Sequence, residues 1–295
     1  MGRRFSLALA HGLSATLFLG TVASGTTAFA RTYSPENFRY HFFGAQVTEW
    51  QDGDGTPQDD QLTAAARHLK SDLAAVEDEL LIALYGIRSQ SWFLDAIEDL
   101  PRSVMTKAIV DQKQGDHGDW SIENFYYSET PKLARLLRYR KIVPDLGPNG
   151  PRSSSIMHNK FLVLDQKKVW YGTANMSATG LGRGYNANTV LTVDSSSLAR
   201  VFAGEFHQMY DDRKFSTGKS TGTGKKLRYR DGTLVDVYFS PQDDAVRYGV
   251  IPAIDGCRRH MEVGMFFLTE PSVVQALVQA EQRGCQVRII LDALG

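Results

Sequence analysis

The sequence predicts a layered α/β fold built from two related units, the second of them incomplete. Three observations predict it. Apolar strand-like runs alternate with segments of helical periodicity. One block of the chain recurs 184 residues on (242 − 58 = 184), and a stretch rich in Gly, Ser, Thr and Lys over residues 216–226 separates the two copies. Strands alternating with helices bury a sheet between helical layers, and a block recurring at a fixed offset is one structural unit used twice.

The N-terminus stands apart from both units. Arg3 and Arg4 precede an apolar stretch from Phe5 to Leu19, and Ala28-Phe29-Ala30 supplies a small-x-small cleavage site. This is the three-part pattern of an export signal over residues 1–30, with a mature chain starting at Arg31 in a secreted or periplasmic location. His11, Ser14 and Thr16 interrupt the run before it reaches the length of a membrane span.

The first unit is expected over residues 31–215. Thr56-Pro57-Gln58-Asp59-Asp60 leads into a helix over 62–76, a strand over 80–85, a helix over 92–100 and a strand over 104–111 that ends in Asp111. The linker covers 216–233. The second unit opens at 234 and repeats the order. Ser240-Pro241-Gln242-Asp243-Asp244 leads into a helix over 245–257, a strand over 261–267, a helix over 272–282 and a strand over 287–292. That last strand ends in Asp292, at an offset of 292 − 111 = 181.

Composition excludes little. The chain carries 33 basic and 33 acidic residues, so no overall charge draws it to nucleic acid or to an anionic surface. Its two cysteines, Cys257 and Cys285, meet an oxidising compartment after export, where they either close a bridge or serve as two small apolar core residues.

The chemistry lies in the first unit. His158-Asn159-Lys160 is followed at fixed spacing by Asp165 and then by Gly172-Thr173-Ala174-Asn175, giving H-x-K-x4-D-x6-G-[ST]-x-N. Residues 160–164 read as a buried strand and 168–171 as its neighbour across a turn at 165–167. Residues two apart on a strand share a face, so His158 and Lys160 point together, while Asp165, at odd spacing, points away. Asp165 is thus either a supporting carboxylate or a direct participant. A phosphodiester is an anion whose cleavage builds further charge on its oxygens, and Lys160, Thr173 and Asn175 can aim donors there. A neutral His158 can attack phosphorus. It cannot also protonate the leaving alkoxide in that step, so a second histidine is required.

This pattern resembles the His-Lys-Asp motif of the phospholipase D superfamily of phosphodiester-cleaving enzymes, in a secreted bacterial type. The resemblance implies a layered α-β-α sandwich and a bilobal chain with a pseudo-twofold repeat. It implies two motifs meeting at one site, one histidine as nucleophile and the other as general acid, with no metal and no cofactor. Such proteins often carry an acidic residue on the strand after the asparagine. Here that place holds Asn188, so an orienting carboxylate must come from elsewhere, with Glu205 as candidate.

The repeat places a second His-x-Lys near residue 340, 181–184 positions beyond His158, and the 295 residues do not reach it. Either a C-terminal half supplies it or two chains pair as a homodimer. The first functional expectation is a secreted phospholipase D that hydrolyses glycerophospholipid head groups at a membrane surface through a phosphohistidine. An exported nuclease of the same chemistry ranks behind it, because a nuclease should carry a strongly basic groove and the zero net charge argues mildly against one. Phosphatidyl transfer, as in cardiolipin synthases, and a non-catalytic phosphate-binding remnant complete the set.

Overall fold

The structure is a computed structural model that describes residues 4–9, 38–44, 62–85, 91–111, 113–114, 120–121, 142–145, 156–177, 180–181, 186–221, 226–229 and 232–292. The chain divides into two compact units, one of Thr27–Phe215 and one of Ser216–Gly295 together with Met1–Thr26. The first copy of the recurring block, 56–60, and the cleavage site expected at 28–30 lie outside the described residues.

Thr27–Phe215 is organised on one mixed sheet. Its strands are β2 (Phe38–Phe43), β3 (Glu79–Leu84), β4 (Met105–Asp111), β7 (Ile142–Asp145), β8 (Lys160–Leu164), β9 (Lys168–Gly172) and β10 (Asn188–Asp194). They run in the order β2-β10-β9-β8-β3-β4-β7. β3, β4 and β7 are parallel, while β8 is antiparallel to β3 and starts a meander through β9, β10 and β2. A separate short ribbon joins β5 (Lys113–Gln114) to β6 (Trp120–Ser121).

Helices cover both faces. Helix α1 (Ala64–Ala74) starts where the Thr63 hydroxyl accepts the Ala66 N–H, and its apolar spacing buries Leu69 and Leu73. With α2 (Ser91–Glu98) it packs on Leu80, Ile82, Leu84, Leu162, Leu164 and Trp170. Residues of opposite parity face α3 (Ser196–Tyr210), where Phe161 and Tyr171 meet Phe202 at ring-centroid distances of 5.1 and 5.9 Å. The near-continuous apolar runs of β3 and β8 are explained by this two-sided burial.

The second unit holds β1 (Arg4–Leu9), β11 (Lys226–Arg228) and β12 (Leu234–Phe239) in one sheet and β13 (His260–Met265) with β14 (Gln286–Leu291) in another. β1 lies parallel to β12, Arg4 opposite Leu234, so in the unprocessed chain part of the expected export segment is a strand. The helix expected over 245–257 is split into a π-helical turn, Val246–Val250, and the short α4, Ile251–Asp255. Pro252 has no N–H to donate and sits at the start of α4, where none is needed. Helix α5 (Pro271–Gln282) packs with α4 over Met261 and Val263. Cys257 and Cys285 are joined by a disulfide within this core, with Cα atoms 6.0 Å apart. Among the described residues no helix is long and apolar enough to cross a membrane.

Candidate active site at the head of strand β8

The antiparallel pairing sets which groups share an end of the sheet. Leu84 pairs with Lys160 and Phe161 with Tyr171, so the C-terminal ends of β3 and β9 lie at the N-terminal end of β8. β4 runs parallel to β3 and delivers Asp111 to the same end. The segment entering β8 is tied down by the Tyr85 N–H, which donates to the Asn159 carbonyl at 2.8 Å.

Lys160 is 3% exposed and its Nζ donates to the His158 carbonyl at 2.9 Å. The Tyr85 ring contacts both side chains, its centroid 4.6 Å from the His158 ring and 5.1 Å from the ammonium. Burial pulls Lys160 down to about 7, and the negative charge of Asp111 holds it against a further fall. A buried, readily deprotonated cation beside a histidine is an arrangement found at functional sites far more often than in cores.

Asn175 follows β9 in a tight turn. Its carbonyl accepts the N–H groups of Ser177 and Leu181 at 2.9 and 3.0 Å, and the Leu181 carbonyl accepts the Thr63 hydroxyl at the cap of α1. Gly180 makes the turn feasible, since a Cβ there would lie 2.4 Å from the Asn175 carbonyl oxygen. The side-chain oxygen of Asn175 is buried and meets no hydrogen-bond partner among the described residues. An amide left in this state offers either its oxygen or, after rotation, its N–H2 to a bound group.

Thr173 is engaged elsewhere than in the anion-facing place considered for it, and Asp165 takes the supporting one of the two roles left open for it. The Thr173 hydroxyl donates to the Asn188 side-chain oxygen at 2.9 Å and accepts the Thr189 N–H at 3.0 Å, so it braces β9 against β10. Asn188 is thereby a strut to the loop, its own N–H2 donating to the Asn186 carbonyl. Asp165 sits at the far end of β8, where its carboxylate accepts the N–H groups of Glu77, Asp78 and Glu79 at 3.1, 2.8 and 2.9 Å. Partial burial opposes its ionisation, yet the N–H groups of Glu79, Asp78 and Glu77 and the charge of Lys167 hold it below the usual carboxylate range. Glu205 is fully buried on α3, the helix that packs on β8 and β9.

The family profile described as "Cardiolipin synthase, PLD-like domain" matches residues 69–210 and 250–294. The chain belongs to the phospholipase D-like family. Its fold is shared with phosphatidylserine synthase from Haemophilus influenzae Rd KW20, at 12% identity and a TM-score of 0.51, over 81% of this chain and 64% of that one. Polyphosphate kinase from Porphyromonas gingivalis is alike at 17% identity and a TM-score of 0.50, over 77% of this chain and 35% of that one. NucT from Helicobacter pylori aligns over 59% of this chain and 96% of its own, at 17% identity and a TM-score of 0.39. No curated protein matches the sequence.

Phospholipase D-like proteins act on phosphodiesters, and the groups at the head of β8 suit that kind of reaction. Two residues there, Tyr85 and Asp111, were legible in the sequence only as the ends of two apolar strands. That each recurs at a strand end in the second unit, as Phe266 and Asp292, is the signal that could have raised them.

Proposed function

We propose that this chain is an exported phosphodiesterase of the phospholipase D type, acting on glycerophospholipid head groups, with residues 1–30 as its cleaved signal. The observation that carries this reading is the buried Lys160 ammonium beside His158, with the buried side-chain oxygen of Asn175 following the adjoining strand. In the proposed reaction a His158 ring nitrogen attacks phosphorus, and a bond forms between them as the bond from phosphorus to the head-group oxygen breaks. Lys160 and Asn175 receive the charge that gathers on the other phosphoryl oxygens. The leaving oxygen takes its proton from a second histidine, which then accepts a proton from the water that hydrolyses the phosphohistidine.

In this proposal the second histidine belongs to a second His-x-Lys motif, supplied by a partner copy of this chain or by further polypeptide.

The test is choline release from phosphatidylcholine vesicles by the mature chain, with His158→Ala as control and plasmid DNA as the competing substrate. Release that disappears in the variant, accompanied by a phosphohistidine at residue 158 in neutral-pH mass spectrometry, supports the lipid reading. Cleavage of DNA alone moves the assignment to a nuclease. A folded chain that cleaves neither and traps no phosphohistidine is overturned as a complete enzyme.

A further inference from the structure

The carboxylate of Asp111 is 3% exposed at the C-terminal end of β4. A carboxylate buried this far is unfavourable unless hydrogen bonds and an opposite charge compensate it. Its Oδ1 accepts the N–H of Met157, 46 residues away in sequence, at 2.6 Å. Met157 is the residue before His158. Three residues beyond Met157 is Lys160, which feels the Asp111 charge directly. One carboxylate therefore acts at both ends of the Met157-His158-Asn159-Lys160 segment. At one end it fixes the backbone and at the other its charge favours the protonated lysine, while the Lys160 ammonium closes the segment on itself through the His158 carbonyl.

Three groups bear on Lys160 among the described residues: Asp111 from β4, the Tyr85 ring after β3 and the His158 segment itself. Only Asp111 is an anion. Neither a ring quadrupole nor a carbonyl dipole can replace a full opposite charge at a buried site. We infer that Asp111 is a positioning residue of this site, holding the His158 segment through the Met157 amide and supplying the counter-charge of the Lys160 ammonium. The inference rests on the anion-binding reading given above, and it adds a residue outside the motif on which the motif lysine depends.

Asp111→Asn separates the two duties, because its amide oxygen still accepts the Met157 N–H while the charge is gone. The lysine side chains are labelled with 13C at Cε, the Lys160 signal is assigned with Lys160→Arg, and its titration is followed by NMR. In parallel, sulfate binding is measured by calorimetry from pH 5.5 to 8.5, a range over which sulfate does not titrate. In Asp111→Asn the Lys160 midpoint is expected to move down by about one unit. Sulfate binding should weaken about fivefold at pH 7 and recover toward the wild-type value at pH 5.5, since acid restores the ammonium. Asp111→Ser, also neutral and able to accept at its hydroxyl, carries the same measurement if the asparagine variant does not fold.

A Lys160 midpoint equal to that of the wild type, with a sulfate affinity ratio that is the same at every pH, would overturn the inference and leave Asp111 a structural residue. A shifted midpoint with no sulfate binding by either protein would uphold Asp111 as the counter-charge and remove the anion-binding reading instead.

Discussion

The parallel pairs β3–β4 and β13–β14 are built alike and finished differently. Glu79 pairs with Met105 and His260 with Gln286, the partners being 26 residues apart in each (105 − 79 and 286 − 260) and the pairs 181 apart. Ile109 and Ile290 therefore hold equivalent places, and so do Ala83 and Gly264. Ile109 is fully buried, whereas Ile290 is 78% exposed. In Thr27–Phe215 the antiparallel β8 closes one edge of the pair and α3 packs on β3 and β4. In the other unit α5 packs on β14 from one side and the described residues supply no counterpart of β8 or α3. Local pattern and register make the strand pair. Burial is conferred by the elements that arrive later in the chain.

The sharpest way to break this comparison is to truncate the equivalent isoleucines. Ile109→Ala should cost about 2–5 kcal/mol, the ordinary price of emptying a packed core site. All four tryptophans lie in Thr27–Phe215, so denaturant unfolding read by their fluorescence reports that unit. Next in size is the bridge. Cys257 and Cys285 close a segment with a sequence separation of 28, and replacing Cys285 by Ala should destabilise 234–292 by about 3 kcal/mol. Amide exchange in that region should accelerate while strands β3 and β8 keep their protection. Acceleration in both regions would contradict the division into two units.

Acid should separate the two units as well. His41 on β2 is buried against His68 on α1, Nε2 to Nδ1 at 3.1 Å. Burial, the neighbouring His68 and Arg39 push His41 down to about 4 despite Asp72, and burial with Arg39 lowers His68 also. A histidine with a depressed folded value favours folding above its unfolded value of about 6.5, and that contribution is lost as pH falls toward the folded value. Thr27–Phe215 should thus lose on the order of 2 kcal/mol between pH 6.5 and 4. Ser216–Gly295 holds one histidine, the exposed His260, and no buried histidine pair among its described residues, so its loss over the same range should be smaller. Substituting His41 by Phe should flatten the first curve, and a curve of unchanged slope would dismiss the histidine pair as the cause.

The smallest effect belongs to Ile290. Ile290→Ser should change stability by less than about 0.5 kcal/mol, as for an exposed position with nothing packed on it. A cost approaching that of Ile109→Ala would mean that the face is covered in solution, and light scattering would then show whether a second copy covers it.

Strands 160–164 and 168–172, and the repeated ends at Asp111 and Asp292, were legible because two-sided burial leaves unbroken apolar runs and a repeat leaves an offset. The sequence also expected His158, Lys160 and Asn175 to meet, through strand alternation and a short hairpin, and the structure joins the first two through the Lys160 Nζ and the His158 carbonyl. Other features depend on partners distant in the chain, and no local pattern reports them. Thr173 carries a hydroxyl suited to an anion, yet Asn188 and the Thr189 N–H have taken it up. Phe38–Phe43 is a strand because β10 offers it an edge, and Arg4–Leu9 because β12 does. The helix expected unbroken over 245–257 is interrupted at 246–255, and there a local signal, Pro252, was passed over by a reading based on periodicity alone.

Asp165 shows what a motif residue can do without touching a substrate. Its three bonds link the turn before β3 to the hairpin after β8 across 86 to 88 residues of chain. Contacts of that separation require the intervening loops to be gathered in before they can close. Groups that engage late leave the folding rate almost untouched and govern the rate of unfolding. Asp165 is in this sense a timekeeper, setting how long the folded strands that carry His158 and Lys160 persist before the hairpin lets go.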